Sequence, residues 1–404
     1  MIPRLKPFLD HQELLALLKY GPNAVHEFEK AFARTFNAQN AIAYPYGRSA
    51  LWAFLKTMNL TDAEIIQPAY TCVVVAHATL LSGNRPRFVD ISLHDYNMDL
   101  DQVEAAINER TRVILSTHLF GYPLDVDRLD EIVLRAQKRH GHKIWVVQDC
   151  AHSFGGQWQG RPVAQAGDIA LFGLNISKMV TSIFGGMLTT DNDDLANRLQ
   201  WWRDANFSHP SWTKSFSRRL YLLAVYPAFN NDLYGFVNWL QEETPFLNRW
   251  TKAYHLDEKV HLPPDATDHM LPVEAGVGLV QLKKLDTILC RRRENAEFYS
   301  RHLQDVPGLT LPPLVDGATY SHYVIRVDDR LKIMKALSRL GVQLGQLIEY
   351  SVPHMSAYAH LTDGTEFPNS LLCSQHTINL PVHASLSASQ RSDVVEKLKE
   401  AVKA

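Results

Sequence analysis

The stretch DIALFGLNISKMVTSIFGGMLTT, residues 168–190, contains two apolar runs with a single lysine, Lys178, between them. The runs DIALFG and GMLTT are short and apolar, and therefore predict buried strands. Burying an ammonium group without a partner is costly, so a lysine in these surroundings needs a reason. Lys178 either extends to solvent from a strand end or acts as a nucleophile with a lowered pKa.

Further short apolar runs precede this stretch and also predict buried strands: IIQPA (65–69), RFVDI (87–91), RVILSTH (112–118) and KIWVVQD (143–149). Amphipathic helical patterns separate them, such as the shared face of Leu100, Val103 and Ile107. Strands that alternate with helices predict a mostly parallel sheet covered by helices. Ligands of such sheets bind at the carboxyl ends of the strands.

The C-terminal part of the chain has a different pattern. The segment TYSHYVIRV (319–327) predicts a strand by its Tyr, Val and Ile content, and helical faces lie on both sides of it. We therefore expect an α/β protein with a large domain over residues 1–285 and a small α+β domain over residues 286–404.

Composition excludes several classes of protein. The chain is 46% hydrophobic with a formal net charge of -2, so no basic excess points to nucleic acid as a partner. Its four cysteines have no CxxC spacing, so we expect no disulfide or metal framework and a cytoplasmic location. No run of 18 apolar residues predicts a membrane span, and charges near the N-terminus argue against a secretion signal.

The segment VVQDCAHSFGG (146–156) adds a carboxylate to the lysine. Asp149 directly follows a predicted strand and either caps a turn or pairs with a buried cation. His152 follows closely enough to lie over the same site. Pyridoxal phosphate (PLP) uses a lysine that forms a Schiff base with its aldehyde and an acid on its pyridine nitrogen. The spacing of Asp149 and Lys178 alone does not decide between a PLP site and the simpler interpretation, a turn-capping aspartate and a lysine that extends to solvent.

The segment YPYGRSALWAFLKTM (44–58) has a turn of small residues, with Gly47, Arg48 and Ser49 at the start of a predicted helix. Free N–H groups and the helix dipole make such a turn a phosphate site, and Arg48 adds a positive charge. The alternative is a helix that is simply capped by serine.

Taken together, these segments resemble the DegT/DnrJ/EryC1/StrS family of sugar aminotransferases, which are fold-type I PLP enzymes. The motifs that carry the resemblance are, in chain order, YGRSAL, PAYTC, RFVDIS, YNMD, INERTRVI, HLFG, DCAH, Lys178 with Gly185-Gly186 beyond it, QLKKLD, RRRENAEFY, SHYVIRV and LPVH. They extend over nearly the whole chain, and such an ordered series is far more specific than any single motif.

The resemblance implies a role for each candidate residue. Lys178 forms the Schiff base and moves the proton of the transamination, Asp149 pairs with the pyridine nitrogen, and His152 holds the phenolic oxygen of PLP. The turn at residues 47–49 holds the phosphate. Cys72 stands where the family commonly has an aromatic residue that stacks on the ring, so either Tyr70 takes this role or the ring face is covered differently.

Two phosphate contacts of the family are replaced in this sequence. Gly173 stands where the family usually has a phosphate-binding serine, so Asn175 or Ser177 is the expected substitute, unless Arg48 compensates. The segment 267–270, Thr-Asp-His-Met, stands where the family has an asparagine that reaches the phosphate of the neighbouring subunit. The resemblance implies a homodimer without this contact.

An aromatic-rich insertion occupies residues 205–268 and contains SRRLYLLAVYPAFNNDLYGFVNWL (217–240). Pro227 divides the run at residues 217–240 into two halves, and each half is too short to span a bilayer. We expect a helical pair that packs in the dimer or covers the active site. The alternative is peripheral membrane contact through residues 218–240, with Arg218 and Arg219 facing lipid headgroups.

The implied activity is transfer of an amino group from glutamate or glutamine to a keto sugar that is nucleotide-activated. Two alternatives stay open. One is a related PLP enzyme that acts on a cyclitol, lipid-linked or amino-aromatic precursor. The other is a non-catalytic protein that binds the cofactor.

Overall fold

The computed structural model describes residues 1–228, 259–362 and 364–403. Its strands are β1 (Asn40–Tyr44), β2 (Glu64–Pro68), β3 (Arg85–Val89), β4 (Thr111–Thr117), β5 (Trp145–Asp149), β6 (Gln157–Trp158), β7 (Arg161–Pro162), β8 (Ile169–Gly173), β9 (Gly186–Thr190), β10 (Leu309–Thr310), β11 (Tyr323–Val327) and β12 (Thr377–Leu380).

The α-helices in the described residues are α1 (His11–Lys19), α2 (Ala24–Thr35), α3 (Gly47–Thr57), α4 (Val73–Leu81), α5 (Leu100–Ala106), α6 (Val126–His140), α7 (Asp193–Asn206), α8 (Trp212–Ala228), α9 (Pro272–Leu282), α10 (Leu285–Leu303), α11 (Arg330–Arg339), α12 (Pro368–His376) and α13 (Ala388–Lys403).

The main sheet has the order β1-β9-β8-β5-β4-β2-β3 within the described chain. Its pairs are parallel except those of β9, which runs antiparallel to β8 and β1. The predicted α/β fold with a mostly parallel sheet is therefore confirmed. The ends of β5 and β8 and the start of β9 lie at the same edge of the sheet.

Helices cover both faces of this sheet. Leu171 of β8 belongs to an apolar cluster with Leu51 and Phe54 of α3. The next residue, Phe172, points to the opposite face and packs on Phe32 of α2, with ring centroids 4.9 Å apart. Because both faces are covered, the strands read as continuous apolar runs in the sequence.

A second, smaller sheet forms in the C-terminal part, with antiparallel strands in the order β10-β11-β12. Helices α10, α11 and α13 contribute Leu303, Leu337 and Leu398 to the apolar cluster that contains this sheet. The predicted small α+β unit is thus present. Asp286 lies in the first turn of α10, and a domain boundary there stays a prediction.

The described part of the insertion contains α8, whose contacts bear on the alternative of membrane contact through residues 218–240. The Arg218 side chain is only 15% exposed and is held by an ion pair with Asp265. Arg219 donates to the Leu17 carbonyl at 3.2 Å and to the Ser215 hydroxyl. In the structure both arginines therefore contact protein, which gives no support to the alternative in which they face lipid headgroups. Residues 229–240, which form most of the half that follows Pro227, lie outside the described residues.

Among the residues that the structure describes, no helix combines the length and the apolar character that crossing a membrane requires.

Candidate active site

Lys178 lies in a tightly bonded loop between β8 and β9. Its backbone N–H donates to the Asn175 carbonyl at 3.0 Å. A Cβ atom on Gly173 would lie 3.5 Å from Lys178 Cε and 3.6 Å from the Cβ of Ala151. The lysine side chain therefore crosses the end of β8 and runs beside the residues that follow β5. Burial lowers the pKa of Lys178, although Cys72 and Asp149 act in the opposite direction.

Asp149 is the last residue of β5 and is 5% exposed. Its Oδ1 accepts one hydrogen bond, from the Ala151 N–H at 3.0 Å. Burial raises the pKa of Asp149, and neither that hydrogen bond nor Lys178 reverses the shift. The carboxyl group is thus desolvated with little compensation, as expected of a group that awaits a cation or a hydrogen-bond donor.

His152 is buried beside the same strand end and packs between two aromatic rings. Its ring is nearly parallel to that of Phe120, with centroids 6.3 Å apart, and its centroid is 5.1 Å from that of His322. Burial, with the charge of Lys178 and the proximity of His322, lowers the pKa of His152 well below its ordinary value. The imidazole is therefore neutral at physiological pH.

The tautomer of His152 follows from one contact. The backbone N–H of Phe120 donates to Nδ1 of His152 at 3.3 Å. A neutral imidazole has one donor and one acceptor nitrogen, so the proton lies on Nε2. His152 can therefore donate a hydrogen bond from Nε2 to a ligand.

The start of α3 meets this strand end. The Ala50 N–H donates to the Tyr46 carbonyl at 3.0 Å, so the N–H groups of residues 47–49 precede the hydrogen-bonded ladder of the helix. Ser49 is fully buried, and its hydroxyl has no hydrogen-bond partner in the structure. Arg48 is half-buried in the same turn. Several donors thus converge at a helix N-terminus, which suits an anion.

Three glycines allow this close approach of helix and strands. A Cβ atom on Gly47 would lie 3.2 Å from Gly173 Cα. A Cβ atom on Gly186 would lie 2.4 Å from the carbonyl carbon of Tyr46 and 2.5 Å from the Gly47 nitrogen. Side chains at these positions would push α3 away from the end of β8, where Lys178 lies.

The two candidates for stacking on the ring differ in position. Cys72 is exposed at the start of α4 and lies near enough to Lys178 to influence its pKa. Tyr70 is fully buried, and its hydroxyl bonds to the Ile348 carbonyl at 3.1 Å and to Thr377 Oγ1 at 2.9 Å. Through these bonds, Tyr70 connects the main sheet to the C-terminal part. Because its ring has no exposed face, the geometry gives no support to a stacking role.

Asn175 and Ser177 are half-buried and bond mainly to each other. The Ser177 hydroxyl donates to Asn175 Oδ1 at 2.6 Å, and the Ser177 N–H donates to the same oxygen at 3.0 Å. These bonds shape the turn that precedes Lys178. The segment 267–270 is also tied within the chain, because Asp268 pairs with Lys214 at 2.8 Å.

The structure thus brings Lys178, Asp149, His152 and the turn at residues 47–49 to one edge of the sheet, with Cys72 nearby. His322, at the start of β11, joins them and was missed by the sequence reasoning. The only sequence signal was a histidine within SHYVIRV, and this histidine is half-buried in the structure. Burial, with the charges of Arg292 and Lys178, lowers its pKa well below the ordinary value.

A doubly covered, mostly parallel sheet, with a half-buried lysine in the loop after β8 and a buried carboxylate at the end of the neighbouring β5, fits a PLP-dependent aminotransferase. The chain belongs to the DegT/DnrJ/EryC1/StrS aminotransferase family, whose sequence model matches residues 12–232 and 255–399. The predictions of family, of enzyme class and of PLP as cofactor are therefore confirmed. The predicted activity is confirmed at the level of the family, which is one of sugar aminotransferases.

Relatives of known name span nearly the whole chain. The spore coat polysaccharide biosynthesis protein SpsC of Bacillus subtilis is 27% identical over 96% of this chain and 91% of its own length. The GDP-perosamine synthase of Caulobacter vibrioides is 27% identical over 92% of this chain and 88% of its own. The crystal structure of AtS13 from Actinomadura melliaura superposes with a TM-score of 0.78 at 26% identity, covering 99% of this chain and 98% of that one.

Proposed function

We propose that this chain holds PLP at the described edge of the sheet and uses it to aminate a nucleotide-linked keto sugar. Lys178 is the covalent attachment point, Asp149 pairs with the pyridine nitrogen, and the turn at residues 47–49 binds the phosphate. The observation that carries the proposal is that Lys178, Ala151 and the start of α3 at Gly47 all lie close to Gly173, at the end of β8.

The residues present fit the chemistry of the cofactor. The buried Ser49 hydroxyl has no hydrogen-bond partner among the residues that the structure describes, and a phosphate oxygen would accept its hydrogen bond. The buried Asp149 has a raised pKa, and a protonated ring nitrogen would offset the cost of its desolvation. The Nε2–H of His152 is a suitable donor to the phenolic oxygen.

When bound, PLP supplies an electron sink that stabilises the carbanion formed at the amino-bearing carbon. Lys178 moves the proton. Because burial lowers its pKa, a larger fraction of its amine is neutral at physiological pH than for an exposed lysine. Nζ of Lys178 takes the proton from the amino-bearing carbon of the donor, and in the second half-reaction it delivers a proton to the corresponding carbon of the acceptor.

The acceptor class is inferred from relatives. One of them is a GDP-perosamine synthase, whose name attaches a nucleotide to the amino sugar that it makes. The family likeness supports glutamate or glutamine as the amino donor. A homodimer is supported by the same likeness and is tested by sedimentation of the purified protein.

The experiment is a two-stage turnover. PLP-loaded protein is first treated with glutamate or glutamine, and the visible absorption of the cofactor is followed. The protein is then freed of donor and offered a nucleotide-linked keto sugar, or the same keto sugar without its nucleotide. We expect the nucleotide-linked keto sugar to restore the original absorption spectrum of the protein. Mass spectrometry should show that this sugar has gained one amino group. Restoration by the free sugar alone, or by neither compound, would contradict the proposed acceptor.

A further inference from the structure

A group of charged side chains surrounds the residue that precedes the phosphate-binding turn. We call it the Arg218 cluster. Its members are Tyr46, Lys214, Arg218, Asp265, Asp268 and Glu274. Two come from α8 and two from the loop that precedes α9, so the cluster joins distant segments of the chain.

Tyr46 is at the centre of this cluster. Its hydroxyl donates to Asp265, with distances of 2.8 and 2.9 Å to the two carboxylate oxygens. Nη2 of Arg218 donates both to the Tyr46 hydroxyl at 2.8 Å and to Asp265 Oδ2 at 2.9 Å. Lys214 pairs with Asp265 at 2.8 Å. The three side chains Tyr46, Arg218 and Asp265 therefore form a closed triangle of hydrogen bonds.

Arg218 also reaches the loop that contains Lys178. Its guanidinium carbon lies 3.8 Å from the centroid of the Phe184 ring, which is a favourable cation–π contact. Its Nε forms an ion pair with the buried Glu274 at 3.1 Å. One arginine of α8 therefore contacts both the residue before the phosphate-binding turn and the loop after the lysine.

The N-terminus of α3 needs support from outside. Tyr46 is its N-cap residue, and its side chain makes no capping hydrogen bond to the helix. The facing residues Gly173 and Gly186 pack closely on this helix start, but only with backbone atoms, because neither has a side chain. This backbone packing and the held Tyr46 side chain therefore both set the direction of the N–H groups of residues 47–49.

We propose that Arg218 and Asp265 are positioning residues that hold Tyr46, and with it the phosphate-binding turn, in the conformation that receives the cofactor. This inference rests on the proposed binding of the PLP phosphate by residues 47–49. It makes α8, the first described element of the insertion, a part of the cofactor site. The helix acts through the orientation of backbone donors and does not touch the ligand.

The test compares two ligands that differ only in the phosphate group. Apoprotein is titrated with PLP and with pyridoxal, and inorganic phosphate is used as a competitor of PLP.

The main variant is Tyr46→Phe, which removes the hydroxyl and keeps the ring. Arg218→Met is the second variant, although it leaves Glu274 without its cation and so carries a risk of misfolding. Arg219→Met is the matched control, because Arg219 lies on the same helix and bonds to Leu17 and Ser215 instead.

We expect Tyr46→Phe to weaken PLP binding roughly tenfold, as when one hydrogen bond to a charged group is lost or misaligned. Its affinity for pyridoxal should match that of the wild type, and phosphate should compete less well. Arg219→Met should bind all three ligands as the wild type does. Unchanged PLP affinity in Tyr46→Phe, or an equal loss of PLP and pyridoxal affinity, would overturn the inference. If even the wild type fails to prefer PLP to pyridoxal, the proposed phosphate site and the positioning role are both wrong.

Discussion

Replacing Gly186 with alanine should separate β9 from the start of α3. A Cβ atom there would lie 2.4 Å from the carbonyl carbon and oxygen of Tyr46 and 2.5 Å from the Gly47 nitrogen. These are backbone atoms of a helix start, so they cannot rotate away as a side chain can. Overpacking a close-packed site costs about 1 to 3 kcal/mol, and a backbone clash puts the expected loss at about 3 kcal/mol.

Urea unfolding of the apoprotein measures this loss, with Gly21→Ala as the matched control. Gly21 has no atom within 4 Å of its would-be Cβ, so the control should change stability by less than about 1 kcal/mol. Gly186→Ala should have a lower midpoint with an unchanged slope. Because the N–H groups of residues 47–49 shift with α3, PLP affinity should fall at least about tenfold, which corresponds to about 1.4 kcal/mol.

A Gly186→Ala variant that unfolds at the wild-type midpoint and binds PLP with wild-type affinity would contradict this prediction. A Gly21→Ala variant that loses as much stability as Gly186→Ala would contradict it as well. Loss of stability with unchanged PLP affinity would refute the link between the approach of β9 to α3 and the phosphate-binding turn.

Other predictions concern the proposed site. Because burial lowers the pKa of Lys178, pulsed acetylation of the apoprotein should titrate this amine with a midpoint below the ordinary value of a lysine, and a midpoint at or above that value would contradict the lowered pKa. Asp149→Asn should bind PLP but lose most of its turnover, since no acid then holds the ring nitrogen proton; near-normal rates would exclude Asp149 as that acid. Arg48→Ala should weaken PLP binding roughly tenfold in equilibrium titration, and unchanged affinity would assign the phosphate to backbone N–H groups or Ser49.

The central strands could be predicted from the sequence because their covered faces require continuous apolar runs. The observed β5 and β8, Trp145–Asp149 and Ile169–Gly173, fall within the predicted segments 143–149 and 168–173. Strand β1, Asn40–Tyr44, was not predicted. Its sequence NAIAY contains two alanines, which have low strand propensity, and its pairing with β9 depends on residues far along the chain.

The candidate site could be predicted only as separate segments. The strand ends and the glycine turn indicated where Lys178, Asp149 and Ser49 would lie, because parallel strands end at one edge. The contribution of His322 depends on how β11 packs against the loop of His152, which no local pattern encodes. The ion pair of Arg218 could not be predicted for a related reason, since its partner Asp265 is remote in sequence.

The most direct test of the account is to find which lysine is covalently attached to PLP. PLP-loaded protein is reduced with borohydride, digested, and analysed by mass spectrometry for a phosphopyridoxyl group. We predict that the group is found on the peptide that contains Lys178 and is absent from Lys178→Ala. A phosphopyridoxyl group on any other lysine, or bound PLP that leaves Lys178 unlabelled, would contradict the proposed site.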